Sequence, residues 1–211
     1  MELFRKCNIE NEELRKMNDV YSKNEREFLF LAAYEMFYPS TRVSRTNTCI
    51  QEFVSNEVNT DKDKIGMYTC YEGPIYQLEM GQRDDPKSDI VNFCGKMPKN
   101  TTRVMHPFDV MVRCLRHFGA DAKAYFIFII RSIKCLPPDI KISDIVSLLS
   151  RMNVNLIIIV IDNMDDDVEL LDISELEELM EANAMSEGNL YQCSIDELKD
   201  VMNEIENKIK K

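Results

Sequence analysis

The sequence predicts an α/β fold: a doubly wound, mostly parallel sheet with one antiparallel edge strand. Three observations carry that reading. Two continuous apolar runs, residues 125–130 (YFIFII) and 154–161 (VNLIIIVI), lack the alternation of a half-solvated strand and suit central parallel positions buried on both faces. Amphipathic stretches lie between most of the strand candidates, as right-handed crossover connections require. Two short strands, 64–70 and 75–80, are separated only by the turn Glu72-Gly73-Pro74 and read as an edge hairpin.

The elements follow in order. Residues 1–26 place Leu3, Cys7, Leu14, Met17 and Tyr21 at nearly helical spacing, which predicts an amino-terminal helical extension; residues 27–211 form the domain. Phe28, Leu29, Phe30 and Leu31 open the first strand, and a polar segment begins at Tyr34 and Glu35. A loop is expected over residues 39–48, followed by a helix with Cys49, Ile50, Phe53, Val54 and Val58 on one face. After the hairpin, Asp84-Asp85-Pro86 marks a helix start. Phe108 to Phe118 read as a strongly amphipathic helix closed by Gly119. Between the two long apolar runs, Ile142, Ile145, Leu148 and Leu149 predict another helix. A helix over 170–185, a short strand at 189–192 and a closing helix over 195–209 complete the chain.

With 211 residues the chain is long enough to bury a core without disulfides or metal, and one domain is expected. A net charge of -11 argues against tracking a nucleic-acid backbone, which needs clustered Lys and Arg. No run reaches the roughly 20 apolar residues of a membrane span. Seven cysteines scattered singly read as reduced thiols, so a soluble cytoplasmic or nuclear protein is expected. The sequon Asn100-Thr101-Thr102 then reads as chance.

Chemical motifs are sparse. Residues 31–41 hold no glycine, and neither GxGxxG nor GKS/T occurs, which argues against a phosphate cradle. Asp162, Asp165, Asp166 and Asp167 are dense enough to attract a hard cation, yet lack the glycine and distal glutamate of a calcium loop and read as a solvated strand end. Cys114 and His117 supply half a zinc site and no second half. His106 and His117 are the two histidines, and no spacing pairs Glu35, Glu72 or Asp109 for acid–base work. The chain is therefore expected not to be an enzyme, to hold no cofactor or metal, and to take no small-molecule substrate.

The element order, with the ending VNLIIIVID…LEELMEANAMSEGNLYQCSIDELKDVMNEI, resembles a von Willebrand factor A-like, Rossmann-like domain from about Glu27 to Lys211. That family holds a divalent metal through Asp-x-Ser-x-Ser after the first strand, a later Thr and a late Asp. Laid on this sequence, the first motif falls on Leu31-Ala32-Ala33-Tyr34-Glu35, the Thr on Thr101 or Thr102, and the late Asp near Arg131-Ser132. The resemblance therefore implies a degenerate metal site. Glu35-Met36 and residues 125–138 make the chain most similar to the adaptor subunits of BRISC- and BRCA-type deubiquitinase complexes, while Ku-type, proteasomal-receptor, TFIIH and Integrator relatives stay open.

The resemblance implies a scaffold that contacts protein subunits of a larger complex, in ubiquitin-linked or DNA-damage signalling. The alternative is a metal-dependent ligand binder or small hydrolase using Glu35, Thr102 and the Asp162 cluster. Aromatic and Arg hot spots in the rim loops make Tyr34, Glu35, Phe37, Tyr38, Arg42, Arg45 and Thr102 the candidate partner-binding residues.

Overall fold

The computed structural model describes residues 26–34, 40–71, 75–94, 118, 123–131, 145, 147–148, 154–162, 177, 181 and 189–210. Within them the order is β1 (Arg26–Tyr34), α1 (Ser40–Glu57), β2 (Lys64–Tyr71), β3 (Ile75–Gly81), α2 (Pro86–Cys94), β4 (Lys123–Arg131), β5 (Val154–Asp162), β6 (Leu190–Ser194) and α3 (Leu198–Ile209). The strands form one six-stranded sheet in the order β3-β2-β1-β4-β5-β6. All neighbours pair in parallel except β2 and β3, which are antiparallel. The α/β class and the antiparallel edge hairpin are thus as the sequence predicts.

Both faces of the sheet are dry. Phe28, Phe30 and Ala32 of β1 share one face with Ile65 and Met67 of β2, Tyr125, Ile127 and Ile129 of β4, and Ile157, Ile159 and Ile161 of β5. Helix α1 covers this face with Ile50, Phe53 and Val54, α2 with Ile90, and α3 with Leu198, Met202, Ile205 and Ile209. The last four residues recur every three or four positions, the stripe of a surface helix with one apolar face. Phe53 meets Phe28 and Phe30 edge-on, with ring centroids 6.0 Å and 5.5 Å away, and Phe28 stacks on Tyr125 at 5.3 Å. Such pairs add about 0.5–1.5 kcal/mol each beyond the area they bury. On the opposite face Leu29, Leu31, Phe126, Phe128, Leu156 and Ile158 are buried as well, and Phe118 packs on Phe126. Burial on both faces explains why β4 and β5 read as unbroken apolar runs.

Local rules place several joints. Asp85 Oδ1 accepts from the Ser88 amide and so caps α2. The β2–β3 register shifts between Ile65 and Met67, and a side chain at Gly66 would meet the Met80 Cα at 3.2 Å and the Leu78 carbonyl at 3.3 Å. Glycine there lets the bulged β3 backbone approach closely. The turn Ser194-Ile195-Asp196-Glu197 before α3 is closed by a side chain: Glu197 Oε2 accepts from both the amide and the hydroxyl of Ser194 at 2.8 Å.

The structure corrects five boundaries. Residues 40–48, expected as loop, are the first half of α1. Strand β1 runs on to Tyr34, so Leu31 lies fully buried inside the sheet, paired with Tyr68 and Phe128, and not at its rim. The last strand is Leu190–Ser194 and not 189–192, and residues 195–197 form a turn ahead of α3. Arg26, counted with the extension, is the first residue of β1. The rest of the extension, most of the helices expected over 108–118, 142–149 and 170–185, and the loops 72–74 and 97–103 lie outside the described residues. Of those helices, Ile145, Ser147, Leu148, Glu177 and Glu181 are described and helical, with Ile145 and Leu148 buried.

Candidate functional site

Parallel strands bring their carboxyl ends to one edge of the sheet, where open α/β sheets bind ligands. Tyr34 ends β1, Arg131 ends β4, Asp162 ends β5 beside Ser194 of β6, and Tyr71 ends β2 beside Tyr34. Of the candidate partner-binding residues, Tyr34 is at this rim and Arg42 and Arg45 lie in α1. Glu35, Phe37, Tyr38 and Thr102 lie outside the described residues, as do Asp165, Asp166 and Asp167.

Arg45 is the candidate whose surroundings are best defined. Helix α1 begins at the rim and runs back along the sheet, so its first half lies beside the turn that leads from β6 into α3. Ser44, Arg45, Thr48, Cys49 and Glu52 on α1 and Ile195, Asp196 and Lys199 on the α3 side enclose a groove of about 240 Å³. Two ion pairs cross it: Arg45 with Asp196, and Lys199 Nζ with Glu52 Oε2 at 2.9 Å. All four side chains are exposed, Arg45 and Asp196 by 57% and 77%, so these pairs are held weakly in water. Arg42 and Arg45 therefore present their positions from a helix and not from a rim loop, which corrects the expectation for both.

At the floor, burial pushes the Cys49 thiol up, and Glu52 adds to the shift; Lys199 and Arg45 oppose it without reversing it. Cys49 is therefore a neutral thiol near pH 7, without the thiolate that a nucleophile or soft-metal ligand needs. The Lys199 ammonium is held above its ordinary range, first by its hydrogen bond to Glu52. The groove presents alternating charge over a small apolar floor of Cys49 and Ile195. It can accept a side chain or two and exchange their charges for its own.

The sequence reading passed over Cys49, Glu52, Asp196 and Lys199 as site residues. A signal existed on the α1 side: residues 44, 45, 48, 49 and 52 form one helical stripe once the helix is started at Ser40. Nothing in the sequence pairs that stripe with Asp196, 151 residues away.

This sheet order, with its antiparallel edge strand and a helix-covered face, is that of a von Willebrand factor A-like fold. The chain is similar to proximal thread matrix protein 1 of the mussel byssus, with a TM-score of 0.62 at 14% identity over 88% of this chain and 46% of that one. It is similar to a von Willebrand factor type A protein of Catenulispora acidiphila, with a TM-score of 0.62 at 11% identity over 88% and 42%. It also matches the pilus adhesin SpaC of Lactobacillus rhamnosus GG, with a TM-score of 0.62 at 10% identity over 90% and 31%. The chain thus spans less than half the length of each. The mussel protein also occurs with a zinc-occupied MIDAS motif. No protein-family model and no curated protein matches the chain.

Proposed function

We propose that this is a non-enzymatic scaffold domain that contacts protein subunits of a cytoplasmic or nuclear complex, and that its setting is the ubiquitin-linked or DNA-damage signalling served by the deubiquitinase adaptors it resembles in sequence. The observation that carries the reading is the groove beside Arg45. Its volume of about 240 Å³ is below the roughly 300–1,000 Å³ of ordinary small-molecule sites. Its thiol is protonated and it is lined by no histidine. Its ion pairs are exposed and cheap to open. These features suit a partner's side chains better than a substrate to be enclosed and transformed. A pilus adhesin and a thread matrix protein among the similar folds are in keeping with contact as the task.

The experiment is affinity purification of the tagged protein with a charge-reversed control. Wild type brings down stable subunits, and Arg45→Glu loses them while its circular dichroism is unchanged. Recovery of the wild type alone at its monomer mass would remove the scaffold reading. The second reading, a metal-dependent ligand binder or small hydrolase, is favoured by the zinc in the mussel protein's motif and by Asp162 at the rim. Calorimetry with magnesium, manganese and zinc separates the two: micromolar binding that disappears in Glu35→Ala or Thr102→Ala would select it.

A further inference from the structure

Two hydroxyls, one on α1 and one on β2, are buried. Thr46 of α1 and Thr69 of β2 are both fully buried, and neither Oγ1 has a hydrogen-bond partner among the described residues. An orphaned buried hydroxyl is costly, so folded proteins carry few of them.

Their positions can be worked out from the packing below them. Phe53 touches the rings of Phe28 and Phe30. Thr46 lies seven residues earlier on α1, two turns back on the same side, about 10 Å nearer the rim. The same distance along β1, at about 3.3 Å per residue, leads from the Phe28–Phe30 level to Ala32. Ala32 pairs with Thr69, and Thr69 alternates with Ile65 and Met67, so its side chain is on the face that α1 covers. This places both hydroxyls near the rung where β1 contributes only the methyl of Ala32, one step along that face from Phe30.

We infer that this rung is a binding site for one buried water molecule, shared by Thr46 Oγ1 and Thr69 Oγ1. Water is the ligand class that fits: it donates and accepts, as each hydroxyl does, and internal waters sit where two or more otherwise unpaired polar groups converge. The water ties the rim half of α1 to β2 and so fixes the helical turn that carries Arg45. The inference stands independently of the scaffold reading.

The test is a double-mutant cycle by urea unfolding of the full chain, with Thr46→Val and Thr69→Val. A shared water makes the second loss nearly free. Each valine alone lowers the folding equilibrium constant about tenfold, and the two together lower it by about the same tenfold. Losses that multiply to about a hundredfold overturn the inference. So does a single valine that raises stability, because removing an unhydrated buried hydroxyl relieves it. A crystal structure showing ordered water supplies the second measurement and remains available through Thr46→Ser and Thr69→Ser if the valine variants fail to fold. Density within hydrogen-bond distance of both oxygens is expected; a direct Thr46–Thr69 bond, or no water there, overturns it.

Discussion

Helices α1 and α3 are bridged by ion pairs at both ends, and the two ends differ in nearly everything except the charges involved. At the rim end, Arg45–Asp196 and Lys199–Glu52 cross an open groove with all four side chains in water. At the far end the acids are buried. Asp63 and Glu57 are each 2% exposed in their side chains. Arg26 donates to both oxygens of Asp63, at 2.6 Å and 3.2 Å, and to the Glu57 carbonyl at 2.6 Å, with its guanidinium over the Phe28 ring. Lys210 reaches Glu57 Oε1 at 2.5 Å, Asn56 donates to Glu206, and the Asn59 amide donates to Asp63. The lesson is that ion pairs of similar composition lock the structure where their carboxylates have lost water and leave it adaptable where they have not.

The sharpest way to break this contrast is Arg26→Met. It takes the guanidinium away from the buried Asp63 carboxylate, which keeps the Asn59 amide, and urea unfolding is expected to show a loss of about 3–5 kcal/mol. A loss below about 1 kcal/mol would mean that Lys210 and the Asn59 amide suffice and that the far end is not a lock. Lys210→Met is expected to cost less, because Arg26 still faces Glu57. Its ammonium is held above its ordinary range, first by the hydrogen bond to Glu57. The folded value is raised, so this contribution is complete below the unfolded value near 10.5 and is lost as pH rises through the folded one. Unfolding followed between pH 9 and 12 is expected to show a weaker alkaline loss in Lys210→Met than in wild type.

Next comes the acid side, at the turn before α3. Glu197 is held below its ordinary range, first by the Ser194 amide and then by its hydroxyl. The folded value is depressed, so the contribution is complete above the unfolded value near 4.5 and is lost as pH falls through the folded one. Glu197→Gln is expected to flatten the stability change below that point, and identical acid limbs would show that this carboxylate is not a determinant. The smallest effects belong to the groove. Arg45→Ala and Asp196→Ala are each expected to change stability by about 0–1 kcal/mol, with a coupling that 1 M salt removes. A salt-insensitive coupling above about 1 kcal/mol would make the rim a second lock and remove its freedom to exchange charges with a partner.

Much of the fold was legible because it is written in short-range pattern. The apolar runs of β4 and β5 announce central strands, and the spacing of Leu198, Met202 and Ile205 announces α3. The first half of α1 was not legible. Ser40, Thr41, Ser44, Thr46, Asn47 and Thr48 have weak helix propensity and read as loop, yet Thr46 and Asn47 are buried and Val43 packs against the core. Tertiary packing outweighs a propensity deficit of a few tenths of a kcal/mol per residue. That one boundary decides whether Arg45 is a loop residue or part of a groove wall.

The sequence by itself determined the α/β class, the strand identities, the antiparallel edge and the absence of a glycine-rich phosphate motif, because these depend on periodicity and composition along the chain. Only the tertiary structure decided which charges meet. Arg26 is 37 residues from Asp63 and Asn56 is 150 from Glu206, and strand register together with helix packing brings each pair into contact. It also decided which contacts are firm: a charge's worth is set by how much water its neighbours remove, and that is a property of the packed fold.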